Sequence, residues 1–155
     1  MSKGIKTIAG ILIVLVIMQF ISSTDNNGNA YGPNDITQVI NVPDTVKHIL
    51  ENSCYDCHSN HTNYIWYSNV QPVGFWIGHH INEGKEDLNF SEYKTYSAKR
   101  KAKKMQGITR QLKNDKMPIP SYLRLHPEAK LTDDQKQMLI TWADSAYIKL
   151  NAANR

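Results

Sequence analysis

Cys54, Cys57 and His58 fall within the segment Cys54-Tyr55-Asp56-Cys57-His58, which holds both cysteines of the chain. Two thiols three residues apart lie on one face of a helical turn. Placed so, they can form thioether bonds to the two vinyl groups of one porphyrin. The imidazole that follows then projects toward the iron as the proximal ligand. C-x-x-C-H is the attachment signal for a c-type haem.

Three other chemistries use similar residues. A thioredoxin-like dithiol belongs beside a βαβ pattern, and none is visible. A zinc site needs four ligands. Two of the six histidines could join the cysteines, but there is no second C-x-x-C and no H-x-x-x-H pair. A disulfide between Cys54 and Cys57 would close a very short loop and stabilise little. Covalent haem is the leading expectation, and a zinc-binding module is kept as an alternative.

The second axial ligand of such an iron should be Met or His. Met117 sits in Asn114-Asp-Lys-Met-Pro-Ile-Pro-Ser121, where Pro118 biases it toward an extended backbone. A thioether held on a proline-stiffened loop, far along the chain from His58, suits the distal side. His79 and His80 are the alternatives. His48 and His61 lie too near the motif to cross to the opposite face, and Met138 reads as helix core. Tyr64, Trp66, Tyr67, Phe75, Trp76 and Ile77 are expected to keep water from the ring. Pro72 is a candidate to accept the second imidazole hydrogen bond of His58.

The elements around these residues read as helices. Val46, Ile49 and Leu50 have helical spacing before the motif, with Asp44 as the expected N-cap. A second helix is expected from Ser91 through Met105, Ile108 and Leu112. Thr132-Asp-Asp-Gln135 fits a capping box that opens a last helix, with Leu139, Trp142, Ala143, Ala146 and Leu150 on its apolar face. Nothing alternates like a series of strands. The expected fold is mostly α: a small cytochrome c-like domain with long loops around a haem, its terminal helix packed on the helix that carries the motif.

The N-terminus is basic at Lys3 and Lys6, then uncharged from Thr7 to Ile21. Residues 1–24 are expected to form a signal anchor or signal peptide, with the uncleaved membrane helix favoured. By the positive-inside rule the rest would be exported, which places a haem domain at the periplasmic side of the cell envelope. No cysteine follows the apolar run to take a lipoprotein anchor. Residues 25–35, rich in Asn, Gly and Asp, read as a polar linker. Residues 36–151 form the domain.

Of the net charge of +4, Lys3 and Lys6 supply two, so the rest of the chain steers partners weakly as a whole. Locally, Lys94, Lys99, Arg100, Lys101, Lys103, Lys104, Arg110 and Lys113 make a basic stripe. It is either a solvated face or a docking surface for an acidic redox partner or anionic lipid. Nucleic acid is not expected for an exported domain. No catalytic signature stands elsewhere, and Asn82-Glu-Gly-Lys-Glu86 lacks the first glycine of a phosphate loop.

Several stretches together, CYDCHSN (54–60), WYS (66–68), PVGFWI (72–77), HHINEGKEDLNFSEY (79–93), MPIPSYLRLHPEAKLT (117–132) and Trp142, make the chain resemble the small bacterial haem-binding domain proteins, a c-type cytochrome-like group. The resemblance covers most of residues 42–145. It implies covalent haem at Cys54 and Cys57, iron ligation by His58, a role in the cell envelope, and Met117 as distal ligand by analogy with the Met-Pro loop of monohaem cytochromes. The expected function is a membrane-tethered, monohaem electron carrier. A gas sensor or peroxidase with an open distal site, using His79, His80 or Arg124, is the alternative within haem chemistry.

Overall fold

A computed structural model of the chain describes residues 2–22 and 25–153. Its α-helices are α1 (Lys3–Met18), α2 (Asp44–Ser53), α3 (Tyr55–His58), α4 (Val73–Asp87), α5 (Ala98–Lys113), α6 (Pro120–Leu123) and α7 (Asp133–Ala152). Short 3₁₀ turns lie between them at Ile36–Gln38, Trp66–Asn69, Phe90–Thr95 and Pro127–Ala129. An isolated antiparallel bridge joins Asn27 to His61, and no strand forms among the described residues. The mostly-α expectation holds.

The N-terminal helix differs from expectation. It starts early, at Lys3, and stops at Met18 after 16 residues. At 1.5 Å per residue that is about 24 Å, short of a hydrocarbon core of about 30 Å. No helix among the described residues is long and apolar enough to cross a membrane. The expected membrane span over 7–24 is therefore not formed as one helix, and its last two residues, Ser23 and Thr24, lie outside the described residues. The chain turns at Gln19, whose side-chain amide exchanges two hydrogen bonds with the Gln71 backbone, at 3.1 Å and 3.0 Å. None of the α1 side chains is buried.

Residues 25–35, expected as a linker, are bound to the domain. Buried Asn26 donates from its side chain to the Ser59 carbonyl and the Thr62 hydroxyl, each at 2.9 Å. The Gly28 amide donates to the Asn60 carbonyl at 2.7 Å. The polar composition that suggested a tether instead satisfies the backbone of the loop leaving the Cys-His motif.

α2 buries Val46, Ile49 and Leu50 as their spacing predicts. Pro43, rather than Asp44, takes its N-cap position. Asp44 is the first helical residue, where its carboxylate meets the positive end of the helix dipole. The helix expected from Ser91 is divided. The Asn89 side chain captures the Ser91 amide and winds 90–95 into a 3₁₀ turn. Ser97 then caps α5 by accepting from the Arg100 amide. α7 opens on the predicted capping box at Thr132 and Gln135. It packs chiefly on α5 and only lightly on α2, so α5, not the helix leading to the motif, is its main partner. Met138 is 40% exposed and is not core, whereas Met105 is fully buried.

Candidate functional site

Cys54 ends α2, and the motif winds directly into α3, with the Cys57 and His58 amides both donating to the Cys54 carbonyl. α3 lies against α4, and the contact depends on Gly84. A Cβ built there would stand 2.6 Å from the Cys57 carbonyl oxygen, so only a glycine lets the two backbones approach this closely. The approach aims the C-terminal end of α4 at His58. The ring Nδ1 lies 2.9 Å from the Gly84 carbonyl and 2.8 Å from the Leu88 carbonyl. Two acceptors fix the hydrogen on Nδ1 and leave the Nε2 lone pair for a metal. The acceptors are thus Gly84 and Leu88. Pro72, the expected acceptor, instead receives the Trp76 amide at the start of α4.

The loop after the motif is held by the 3₁₀ turn at 90–95. Asn60 accepts from the Asn89 side chain at 2.7 Å, donates to Glu92 at 2.9 Å, and its amide donates to the Ser91 hydroxyl at 3.0 Å. The LNFSEY stretch therefore has a structural task, which is to pin the exit of the Cys-His turn.

Met117 reaches the same region from α5. That helix ends in a Schellman motif. The Asp115 amide donates to the Leu112 carbonyl and the Lys116 amide to the Gln111 carbonyl, with Asp115 at φ 52°. Lys136 of α7 pairs with Asp115 and ties this turn down. One residue later the chain delivers Met117. Beyond it, α6 is anchored to the motif itself, because the Tyr122 hydroxyl donates to the Asp56 carboxylate at 2.8 Å. Burial and that carboxylate push the Tyr122 phenol well above its ordinary range. Tyr122 stacks on His126 at 4.2 Å between centroids, and His126 in turn binds the Tyr67 hydroxyl at 2.6 Å.

Between these elements lie two adjoining hollows of about 1240 Å³ and 1020 Å³, measured to their open mouths. Cys54, His58 and Met117 line both, and Cys57 lines the second. Leu50, Leu88, Phe90, Ile108, Leu112 and Leu139 supply an apolar wall to the first. The room inside them, about 360 Å³ and about 410 Å³, lies within the roughly 300–1,000 Å³ common for small-molecule and cofactor sites. His80 borders the second hollow with its Nδ1 on the Trp76 carbonyl at 2.9 Å. His79 lines neither and faces Glu83 at 3.3 Å with both side chains largely exposed.

The expected aromatic shell is placed differently. Tyr67, Trp76 and Ile77 line a third, apolar hollow of about 540 Å³ beside Cys57 and Tyr122, and Trp66 is 75% exposed. The wall next to His58 comes from α2, α5, α7 and the segment at 88–90. Sequence spacing marked Leu50, Ile108, Leu112 and Leu139 as apolar helix positions but not as neighbours of His58, because their approach depends on helix packing.

The cysteines are free thiols. Burial, and then its neighbour Cys57, pushes the Cys54 thiol up to about 12; burial, and then Asp56, pushes Cys57 up to about 11. Among the described residues no group of three or more His, Cys, Asp or Glu side chains could hold a metal ion, so the zinc alternative has no ligand set there. A flat apolar ring suits what is present: two thiols on one turn, an imidazole with its Nε2 free, and a thioether across an apolar cleft.

A family model described as a haem-binding domain matches residues 13–145. The chain belongs to that haem-binding domain family. The match starts at Ile13, inside α1, and so extends further toward the N-terminus than the motif stretches do. No curated protein and no solved structure matches the chain.

Proposed function

We propose that the chain is a c-type haem protein of the cell envelope that carries single electrons, with His58 and Met117 as the axial ligands. The observation that carries this reading is that His58, whose Nδ1 is taken by two backbone carbonyls, and Met117 line the same two hollows, beside Cys54. Haem supplies a one-electron ferric–ferrous couple. Each thiol would join it by adding across a vinyl double bond, sulfur to one carbon and hydrogen to the other, an attachment that would consume no oxidant. Gly84 and Leu88 orient His58, and the Schellman turn and the Asp56–Tyr122 bond hold Met117 in place. Met/His ligation favours a relatively high potential. A charge change of one on such a fixed ligand pair calls for little rearrangement.

An acidic redox partner would meet Lys94 and Lys101, which no carboxylate of the described residues engages. The rest of the basic stripe is partly committed. Lys104 pairs with Asp87 at 2.7 Å, Lys113 with Asp144 at 3.9 Å, and Arg100 lies over the Tyr96 ring at 4.0 Å. The apolar side chains of α1, exposed along its length, support membrane attachment, with the domain on the exported side.

One experiment tests attachment and place together. The full chain, expressed in a bacterium with a c-type haem maturation system, is fractionated and run on a denaturing gel stained for haem. The expected result is a haem-positive band of the chain's mass in the membrane fraction, lost in the Cys54→Ala/Cys57→Ala variant. Haem that leaves the chain on denaturation contradicts covalent attachment, and a band confined to the soluble fraction contradicts membrane attachment.

A further inference from the structure

α5 has two faces. Ala102, Met105, Thr109 and Leu112 are buried against the core. Lys103, Gln106, Gly107, Arg110 and Gln111, also at helical spacing, line the first hollow together with Cys54 and His58. Gly107 is singular there. A Cβ built on it meets nothing within 4 Å, so no described residue requires the glycine, and a helical glycine is unfavourable relative to alanine. It leaves a bare stretch of backbone facing the hollow, with a cation one turn away on each side.

The charges on this rim are unevenly paired. Asp87 lines the hollow but is already bound to Lys104 at 2.7 Å. Lys103 and Arg110 line it as well, and neither side chain has a hydrogen bond or ion pair to any described residue. Two cations therefore remain unmatched. They stand about 10 Å apart along the helix axis, within reach of each other's surroundings through long side chains. Haem carries two carboxylates, the propionates, on the edge opposite its vinyl groups. A haem bonded to Cys54 would share its hollow with both cations.

We propose that Lys103 and Arg110 bind the two haem propionates, with the ring edge seated over the bare backbone of Gly107. This rests on the haem reading above and adds its binding residues. Arg110 offers a planar pair of donors that matches a carboxylate, and Lys103 a compact ammonium. Two residues of the basic stripe are then cofactor ligands rather than a docking surface.

The test uses the full, haem-matured chain and resonance Raman spectroscopy, in which the propionate bending band shifts with hydrogen bonding to the carboxylates. Lys103→Gln and Arg110→Gln should each move the band, and the double variant should move it further. The double variant should also raise the pH midpoint of the propionate-linked change in reduction potential, because a carboxylate that loses a cation is harder to ionise. Lys130→Gln/Lys149→Gln removes the same charge from exposed sites outside the hollow and should leave both readouts unchanged. Gly107→Leu should lower the ratio of haem to chain while circular dichroism shows the helices intact. Cleft variants indistinguishable from the native chain, or a fully loaded Gly107→Leu with an unmoved band, overturn the proposal while the haem reading stands. A native chain without covalent haem overturns both.

Discussion

His58 illustrates how a single side chain is prepared for its task. Its Nδ1 hydrogen is shared between the Gly84 and Leu88 carbonyls, so the ring has one tautomer and one orientation. The flanking thiols are prepared in another way. Burial holds both protonated, at about 12 for Cys54 and about 11 for Cys57, above their ordinary value of 9.0. Below pH about 9 the thiols are neutral whether folded or not, and they leave stability unaffected. As pH rises above that value the unfolded chain releases protons that the folded chain retains, so stability falls up to about pH 12. The haem-free chain should lose denaturation midpoint steadily above pH 9, and the Cys54→Ala/Cys57→Ala variant should lose less; parallel curves for the two would refute the assignment. The motif itself was legible from residue types and spacing. The partners of His58 were not, since they lie 26 and 30 residues away and meet it only through the packing of α4.

At the scale of elements, the site depends on α4 approaching α3 and on α5 ending where it does. Gly84 controls the first. In the sequence Gly84 stood only in a stretch that fails the phosphate-loop pattern, and nothing near it told of the backbone it meets. Gly84→Ala would bring a Cβ to 2.6 Å from the Cys57 carbonyl, and backbone must move to relieve it. We expect a loss of about 1–3 kcal/mol in chemical denaturation. An unchanged stability would mean that the helices are not in contact there. The end of α5 was partly legible: Asn114-Asp115 marks a stop, but the Schellman bonds that aim Met117 into the cleft come from geometry. The division of the helix expected from Ser91 has a similar cause. Asn89 and Ser97 compete for backbone amides, and the 3₁₀ turn they create pins Asn60 in the loop after the motif.

The whole molecule joins a haem-binding domain to an apolar helix whose side chains are all exposed or nearly so. The polar stretch between them is not a free tether, because Asn26, Gly28 and Ala30 bond to the motif loop and its neighbours. Composition alone suggested the tether, since polar residues that satisfy a buried loop look the same in sequence as residues that satisfy water. The fold class, the last helix with its capping box and the motif could be read directly. The pairing of α7 with α5 and the wall of the cleft required the packed structure.

The central claim is that His58 and Met117 face one iron across this cleft. The most direct measurement is the absorption spectrum of the haem-matured full chain in ferric and ferrous forms, beside that of Met117→Ala. The account predicts a low-spin spectrum with the weak far-red methionine-to-iron band, lost in Met117→Ala, whose ferrous form then binds carbon monoxide. A Met117→Ala spectrum identical to that of the native chain would contradict the claim and move the sixth position to another residue, His80 being the histidine that borders the cleft.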